Sequence, residues 1–195
     1  MKTKLRLFLV VLLAILAFDQ GTKIWVRHTL APAPQDRAAL HHSYRPGLDA
    51  WCQLSQKQVR VIDGFFDLCY SENTGVAFGL GKKVPRAVWI AVGVVALGLI
   101  LLFLRQAGDD QKKLILALAL VGGGAIGNVI DRAAFGFVTD FVVWRWHEHP
   151  WPTFNIADAA LVAGVILMFL TMGKQPNAKT QEQDEASRKS KSKSR

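Results

Sequence analysis

Four long apolar segments constrain this chain more than any other feature of its sequence. They cover residues 5–26, 87–104, 114–131 and 153–172. At about 1.5 Å of rise per residue, each can cross a hydrocarbon core of roughly 30 Å if polar or interfacial residues help its ends. With 51% hydrophobic residues, the chain is predicted to be a membrane protein with four transmembrane helices and a small β element.

The first apolar segment also resembles the start of a secretory signal, because Lys2, Lys4 and Arg6 precede an uncharged run. A cleaved signal needs small residues at a cut site after that run. Here the run passes instead into the polar stretch 19–23. We therefore interpret the segment as a retained first span.

Lys and Arg are distributed unevenly along the chain. They precede the first span, occupy the short loop 105–113 and recur through the tail 174–195. The positive-inside rule places these regions in the cytoplasm, so both termini are cytoplasmic and the long loop 27–86 lies outside. The six Trp residues then fall on or near the outer side, where their rings suit the interface. Residues 1–173 are expected to form the membrane domain, and the basic tail to be disordered.

The outer loop is predicted to contain a small β-sheet. Residues 59–70 are β-branched and aromatic around a central Asp-Gly, which is a hairpin signal. The stretch from about 31 to 56 has no period and is interpreted as a loop or insertion of unassigned role. Cys52 and Cys69 are the two cysteines, and an oxidising periplasm permits a disulfide between them without requiring one.

Ionisable and amide side chains are concentrated at the outer ends of the spans, where charge is costly and usually functional. Asp140 and Asp158 are the candidates for a catalytic pair. Two neighbouring carboxylates cannot both ionise cheaply, so one proton is shared between them. The ionised member of such a pair can act as a base and the protonated member as an acid. The sequence does not decide which aspartate is protonated at rest.

Several of these residues also have a purely structural interpretation. Asp19 and Lys23 lie four apart on a helix and could form an ion pair that only tolerates the membrane edge. Asn155 and Asp158 are three apart and suit a helix cap. Asn73 could be an ordinary turn residue.

A polar stripe is predicted at the outer end of the third span. Gly124, Asn128 and Asp131 recur at steps of four and three, which places them on one helix face. The structural alternative is that the glycines allow close helix packing and that Asp131 pairs with Arg132 or Lys23.

After Gly136 the chain must turn, and the aromatic segment 141–151 that follows is predicted to be interfacial. Its His147-Glu148-His149 triplet lacks the H-E-x-x-H spacing of a zinc protease and is interpreted as a solvated loop face. We therefore predict no metal and no other cofactor.

Four blocks of residues stand in order along the chain, each at the outer end of a span or in the outer loop. They are Asp19-Gln20-x-Thr22-Lys23, Glu72-Asn73-Thr74-Gly75-x-Ala77-Phe78, Gly127-Asn128-x-x-Asp131-Arg132 continuing to Asp140-Phe141, and Phe154-Asn155-x-Ala157-Asp158. Together they resemble the signature blocks of the bacterial lipoprotein signal peptidases, the signal peptidase II family. The resemblance covers most of residues 5–172.

This resemblance implies an intramembrane aspartic endopeptidase. Such an enzyme cleaves the signal peptide from diacylglyceryl-modified prolipoproteins on the N-terminal side of the lipidated cysteine. It implies that Asp140 and Asp158 are the catalytic dyad, and we assign Asp131 a structural role. The residues implied to support the active site or hold substrate are Asp19, Lys23, Asn73, Gly124, Asn128, Arg132 and Asn155. The family's small outer β-cradle agrees with the predicted hairpin.

The resemblance also implies a multi-pass protein of the bacterial inner membrane, with its active site near the periplasmic face. The expected partners are the lipidated prolipoprotein substrate and membrane phospholipid, with no nucleic acid, and the protein is expected to be a monomer. Individual substrates are not identified by the sequence.

Two other classes of function are weighed against this one. A small transporter or proton conductor would also place charges in the membrane, but it needs them at several depths and here they cluster at one edge. A phospholipid-headgroup transferase that uses a divalent ion needs a dense carboxylate motif on one helix, which this chain lacks.

Overall fold

A computed structural model describes residues 2–33, 36, 52–75, 81, 83–146 and 149–172 of the chain. These residues form four long helices and a small sheet. The helices are α1 (Lys2–Thr29), α2 (Arg86–Gln106), α3 (Lys112–Phe135) and α4 (Ile156–Met172). The strands are β1 (Val59–Ile62), β2 (Phe66–Asn73), β3 (Val138–Trp146) and β4 (His149–Pro150). The predicted tail and most of the predicted loop at 31–56 lie outside the described residues.

Three of the helices, α1, α2 and α3, are long and apolar enough to cross a membrane by length and composition. The helix α4 is equally apolar but has 17 residues. The mostly helical membrane fold with a small sheet is therefore confirmed, while the count of four spans stays a prediction. The helices α1 and α3 also continue beyond the predicted apolar runs, because their polar ends keep the helical backbone hydrogen bonds.

The helix α3 is the centre of the bundle and packs against α1, α2 and α4. Its glycines permit this, as the structural interpretation of the third span predicts. Gly124 approaches the Ala157 carbonyl so closely that a Cβ would have no room, and a Cβ at Gly127 would lie 2.5 Å from Asp19 Oδ2. The opposite half of the bundle is filled by a purely apolar cluster that includes Phe8, Leu12, Ile100, Leu104 and Leu118.

The sheet has the strand order β1-β2-β3-β4 and is antiparallel. The predicted hairpin is confirmed as β1 and β2, with Gly64 at φ 76° in its turn. The pairing of β2 with β3 places Ser71 opposite Asp140, and an irregularity in register separates Leu68 from Ser71. A disulfide joins Cys52 to Cys69 and so ties the chain before β1 to β2.

The strand β3 occupies part of the segment predicted only as interfacial. Phe141, Val142 and Val143 are buried, whereas Trp144 and Trp146 are 49% and 70% exposed. The apolar run forms a strand because β2 pairs with it on one side and Phe154 on the other, where the N–H groups of Phe141 and Val142 donate to the Phe154 carbonyl. His147 and Glu148, in the triplet interpreted as a solvated loop, lie outside the described residues.

A glycine turn connects α3 to β3 at the predicted position. Gly136 adopts φ 84°, and its N–H donates to the Arg132 carbonyl, which ends the helix. The chain therefore reverses next to the C-terminal ends of α1 and α3. The first turn of α4 reaches the same place, since the N–H of Ala157 donates to Asp19 on α1.

Candidate active site

Asp140 lies in β3 with its side chain 1% exposed. Two amide side chains donate to its carboxylate. Asn73 Nδ2 lies 2.9 Å from Oδ2, and Asn155 Nδ2 lies 2.6 Å from Oδ1. Asn73 ends β2, so the β2–β3 pairing brings one donor and the start of α4 supplies the other. Both carboxylate oxygens are thus held by uncharged groups.

Asp158 lies in the first turn of α4 and is partly buried. Asn128 Nδ2 on α3 donates to its Oδ1 at 2.8 Å. The N–H of Asn155 lies 3.3 Å from Oδ2, and the N–H of Asp158 donates back to Asn155 Oδ1 at 2.9 Å. This reciprocal pair is a helix cap, so the structural interpretation of Asn155 and Asp158 is present in the molecule. The hydrogen bond from Asn128 Nδ2 to Asp158 Oδ1 is not part of this cap.

Asn155 joins the two aspartates. Its amide nitrogen donates to Asp140 and lies 3.2 Å from Asn128 Oδ1, while its backbone N–H contacts Asp158. The side chain is fully buried. The two carboxylates predicted as a pair are therefore placed together around one asparagine, with Asn73 and Asn128 on either side.

A second group of charges lies beside the first, on α1 and α3. Lys23 Nζ lies 3.0 Å from Asp19 Oδ2, 3.4 Å from Asp131 Oδ2 and 3.1 Å from Asn128 Oδ1. Arg27 Nη1 lies 3.3 Å from Asp131 Oδ1. Lys23, Asp19 and Asp131 are fully buried, so the ion pair of Asp19 and Lys23 does not snorkel at an exposed membrane edge.

Asp131 pairs with Lys23 and Arg27 and not with its neighbour Arg132 in the described residues. It also accepts the N–H of Thr139 at 2.9 Å, and Asp19 Oδ1 accepts the N–H of Ala157 at 2.9 Å. These carboxylates thus connect α1 and α3 to the residues that precede Asp140 and Asp158 in the chain.

Arg132 connects α3 to the loop after β2. Its Nη2 donates to the Gly75 carbonyl at 2.7 Å, and its Nη1 lies 3.3 Å from the Asn128 carbonyl. The N–H of Gly75 donates to Asn73 Oδ1, which orients that amide toward Asp140. Gly124, the remaining predicted site residue, contributes by packing α3 closely against α4.

The environment of Asp140 favours its neutral form. Burial, and after it the negative charge of Asp158, raises the pKa of Asp140 to about 7. The hydrogen bonds from Asn73 and Asn155 and the positive charge of Lys23 oppose this rise in pKa. At neutral pH the two aspartates can therefore hold one proton between them, which is the state needed for paired general acid and base chemistry.

Two residues of this region were not anticipated from the sequence. Arg27 follows Lys23 by four positions, a helical spacing that points it to the same face. Thr139 carries no signal of its own beyond its position before Asp140. In the described part of the chain, no group of three or more His, Cys, Asp or Glu is arranged to hold a metal ion.

The match to a protein family covers nearly the whole described chain. A family model described as signal peptidase (SPase) II matches residues 11–174. The chain belongs to the signal peptidase II family. It is therefore a peptidase of a membrane-enzyme family, and residues of all four helices and of β2 and β3 fall within the match.

Relatives agree with this membership over most of their length. A lipoprotein signal peptidase of Geobacter sulfurreducens is 36% identical over 183 residues, which is 92% of this chain and 99% of the relative. One from Geobacter metallireducens is 36% identical over 174 residues, 88% of this chain and 93% of the relative. One from Xylella fastidiosa is 37% identical over 163 residues, 82% and 84%.

Two solved structures, each described as a bacterial membrane enzyme, share the fold of this chain. Their TM-scores are 0.66 and 0.62, both at 24% identity. The first match covers 86% of this chain and 87% of the other, and the second covers 87% and 94%. At this identity the likeness shows the fold alone, namely a helical membrane protein with a small sheet.

Proposed function

We propose that this chain is an aspartic endopeptidase that removes the signal peptide from diacylglyceryl-modified prolipoproteins. Cleavage falls on the N-terminal side of the lipidated cysteine. The substrate class follows from its relatives, which are lipoprotein signal peptidases. Asp140 and Asp158 form the catalytic dyad, and the polar residues around them position the dyad and the substrate.

One observation carries this proposal: Asp140 and Asp158 meet around Asn155 without a cation in direct contact with either carboxylate among the described residues. Carboxylates that serve only the fold are normally neutralised by a partner when they are buried. Amide donors hold the geometry of Asp140 and Asp158 but leave the proton between them free to move.

The proposed reaction needs one ionised and one protonated carboxyl. The ionised member accepts a proton from a water molecule, which attacks the scissile carbonyl carbon. The protonated member donates to the carbonyl oxygen, so the negative charge that develops there is neutralised. The tetrahedral intermediate then collapses: the first member returns its proton to the leaving amide nitrogen, the second takes back a hydroxyl proton, and the C–N bond breaks. Because the pKa of Asp140 is raised to about 7, the pair can hold at neutral pH the single proton that this reaction needs.

The location of the dyad suits a lipidated substrate. It lies where the helix ends meet the sheet, beside apolar helices whose outer faces expose large hydrophobic residues. A substrate that is held in the bilayer by its acyl chains can therefore reach the dyad with its peptide segment. With both termini cytoplasmic, as Lys and Arg indicate, the dyad faces the periplasmic side of the inner membrane. The enzyme is proposed to act as a monomer.

The direct test is cleavage of a defined precursor by the purified protein in detergent. A diacylglyceryl-modified prolipoprotein should release its signal peptide, detected by mass, with the cut directly before the lipidated cysteine. The same precursor without its lipid should be cut far more slowly. EDTA should leave the rate unchanged.

Equal cleavage of the unlipidated precursor would contradict the proposed substrate class. Loss of activity in EDTA that returns with added metal would contradict the aspartic mechanism. Asp110→Asn, an exposed change in the loop before α3, is a matched control and should cleave at the parental rate.

A further inference from the structure

We infer that Arg27 and Thr139 form a positioning contact that holds Asp140 at its place in the dyad. The inference rests on the proposed function, since it assigns these residues a part in the same reaction. Neither residue contacts the carboxylates of Asp140 or Asp158 in the described hydrogen bonds. Their effect on catalysis is exerted through the backbone.

Arg27 connects three elements from the last turn of α1. Its Nη1 donates to Thr139 Oγ1 in β3 at 3.0 Å and lies 3.3 Å from Asp131 Oδ1 in α3. Its guanidinium carbon lies 4.4 Å from the ring centroid of Phe135, a distance at which a cation is attracted to the aromatic face. The side chain is 14% exposed, so water competes little for these contacts.

Thr139 is fully buried, and its backbone N–H and its hydroxyl oxygen both form hydrogen bonds with residues of the neighbouring helices. Its N–H donates to Asp131 Oδ2 at 2.9 Å, and its hydroxyl accepts from Arg27. One planar peptide bond separates Thr139 from Asp140, so a fixed Thr139 leaves few backbone torsions by which Asp140 can move.

Asp140 lies where the pairing of β3 with β2 becomes irregular, and on its C-terminal side the N–H of Phe141 donates to the Phe154 carbonyl at 3.0 Å. The side chain of Asp140 is held by two amides, and the irregularity lies between Leu68 and Ser71, just beyond the pair Ser71–Asp140. Bulges of this kind weaken local pairing. The contact of Arg27 with Thr139 fixes the other side of Asp140, where β3 begins.

The two roles of Arg27 can be separated by experiment. Its pairing with Asp131 neutralises a buried carboxylate, which supports stability. Its bond to Thr139 can be removed alone by Thr139→Val, which keeps the β-branched shape and the backbone N–H that donates to Asp131. Thr139→Ser keeps the hydroxyl and is the conservative rescue.

The test measures kcat and KM for the lipidated precursor in the full-length variants. Thr139→Val should lower kcat about threefold to tenfold with little change in KM, because displacements of about 1 Å can cost up to about 100-fold. Thr139→Ser should retain the parental kcat. Thr139→Val introduced into Arg27→Gln should cause no further loss, since the bond is already absent. Arg6→Gln, on the exposed start of α1, is the matched control.

A parental kcat in Thr139→Val would overturn the inference, as would an equal loss in Thr139→Ser. An undiminished effect of Thr139→Val in the Arg27→Gln protein would also overturn it. The pair of Thr139 variants decides the question even if Arg27→Gln does not insert. Asp140→Asn in the same assay distinguishes a failure of the proposed function from a failure of this inference. If Asp140→Asn is active, the proposed dyad is wrong. If Asp140→Asn is inactive while the Thr139 variants keep the parental kcat, only the positioning contact is wrong.

Discussion

Two groups of carboxylates meet at the same end of this molecule and differ in what surrounds them. Asp19 and Asp131 are fully buried and contact Lys23 or Arg27 within 3.4 Å. Asp140 is equally buried but is held by asparagine amides, as Asp158 is. A cation fixes a carboxylate in its charged form, whereas an amide donor leaves the proton mobile. The first group is thus suited to holding the fold and the second to chemistry.

The two groups are adjacent for a structural reason. The charged group binds the backbone just before each member of the proposed dyad, through the N–H of Ala157 and the N–H of Thr139. It therefore restrains the positions of Asp158 and Asp140 through their backbone neighbours. The same substitution should have opposite consequences in the two groups, with activity lost in one and stability lost in the other.

The largest effect is expected from Asp140→Asn and Asp158→Asn. Each should lower turnover of the lipidated precursor by about 1,000-fold or more, because an amide can neither accept a proton from water nor share one. Thermal stability in detergent should change little. At Asp158 the loss should be at most about 1 kcal/mol, because asparagine still accepts the backbone hydrogen bond of the cap.

Near-normal turnover in either variant would remove that residue from the dyad. A large loss of stability at Asp158 together with retained turnover would favour the capping role instead. The exposed Asp110→Asn change serves as the control for both measurements.

The next largest effect is expected on stability, from Lys23→Met in the charged group. Asp131 would then keep Arg27, but the buried carboxylate of Asp19 would lose its cation, which should lower the free energy of unfolding by about 3–5 kcal/mol. Thermal unfolding in detergent measures this change, with the exposed Lys113→Met as the control. The double change Lys23→Met with Asp19→Asn should recover part of the loss, since it removes the carboxylate that the first change leaves without a cation. If the stability loss of the double variant equals the sum of the two single losses, the carboxylate and the lysine do not stabilise each other and this interpretation is wrong.

The smallest effect is expected from Asp131→Asn. The asparagine oxygen can still accept the N–H of Thr139, so the stability loss should be about 1–3 kcal/mol. Turnover should stay within about tenfold of the parent, because the dyad keeps its amide partners. A loss as deep as that of Asp140→Asn would place Asp131 in the chemistry and break the distinction between the two groups.

Much of the helical part of the fold is predictable because hydrocarbon selects long uncharged runs. The hairpin is predictable too, since Gly64 supplies the positive φ that its turn requires. The strand β3 was missed because its apolar run 141–143 is short, and such a run has no period that separates a strand from an interfacial segment. Its pairing with β2 and with Phe154 decides the structure.

Asp19, Asn128 and Asp158 stand out in the sequence because polar residues within apolar membrane segments are rare. The grouping of all the aspartates and asparagines into one site was implied by the family resemblance. The hydrogen-bond partners of these residues were not predictable from the sequence. The bond from Arg27 to Thr139 joins residues 112 positions apart, and the amide of Asn155 reaches Asp140 across two elements. Contacts of this kind depend on how the helices pack, which local pattern does not encode.

The pH dependence of kcat/KM for the lipidated precursor tests the shared proton of Asp140 and Asp158 most directly. Because kcat/KM reports the ionisations of the free enzyme, and the pKa of Asp140 is raised to about 7, the rate should fall as pH rises above about 7 and the pair loses its last proton. It should fall again in acid, when both carboxyls are protonated and no base remains. A kcat/KM that stays constant or increases from neutral to alkaline pH, with the enzyme folded throughout, would contradict a dyad that works with one proton.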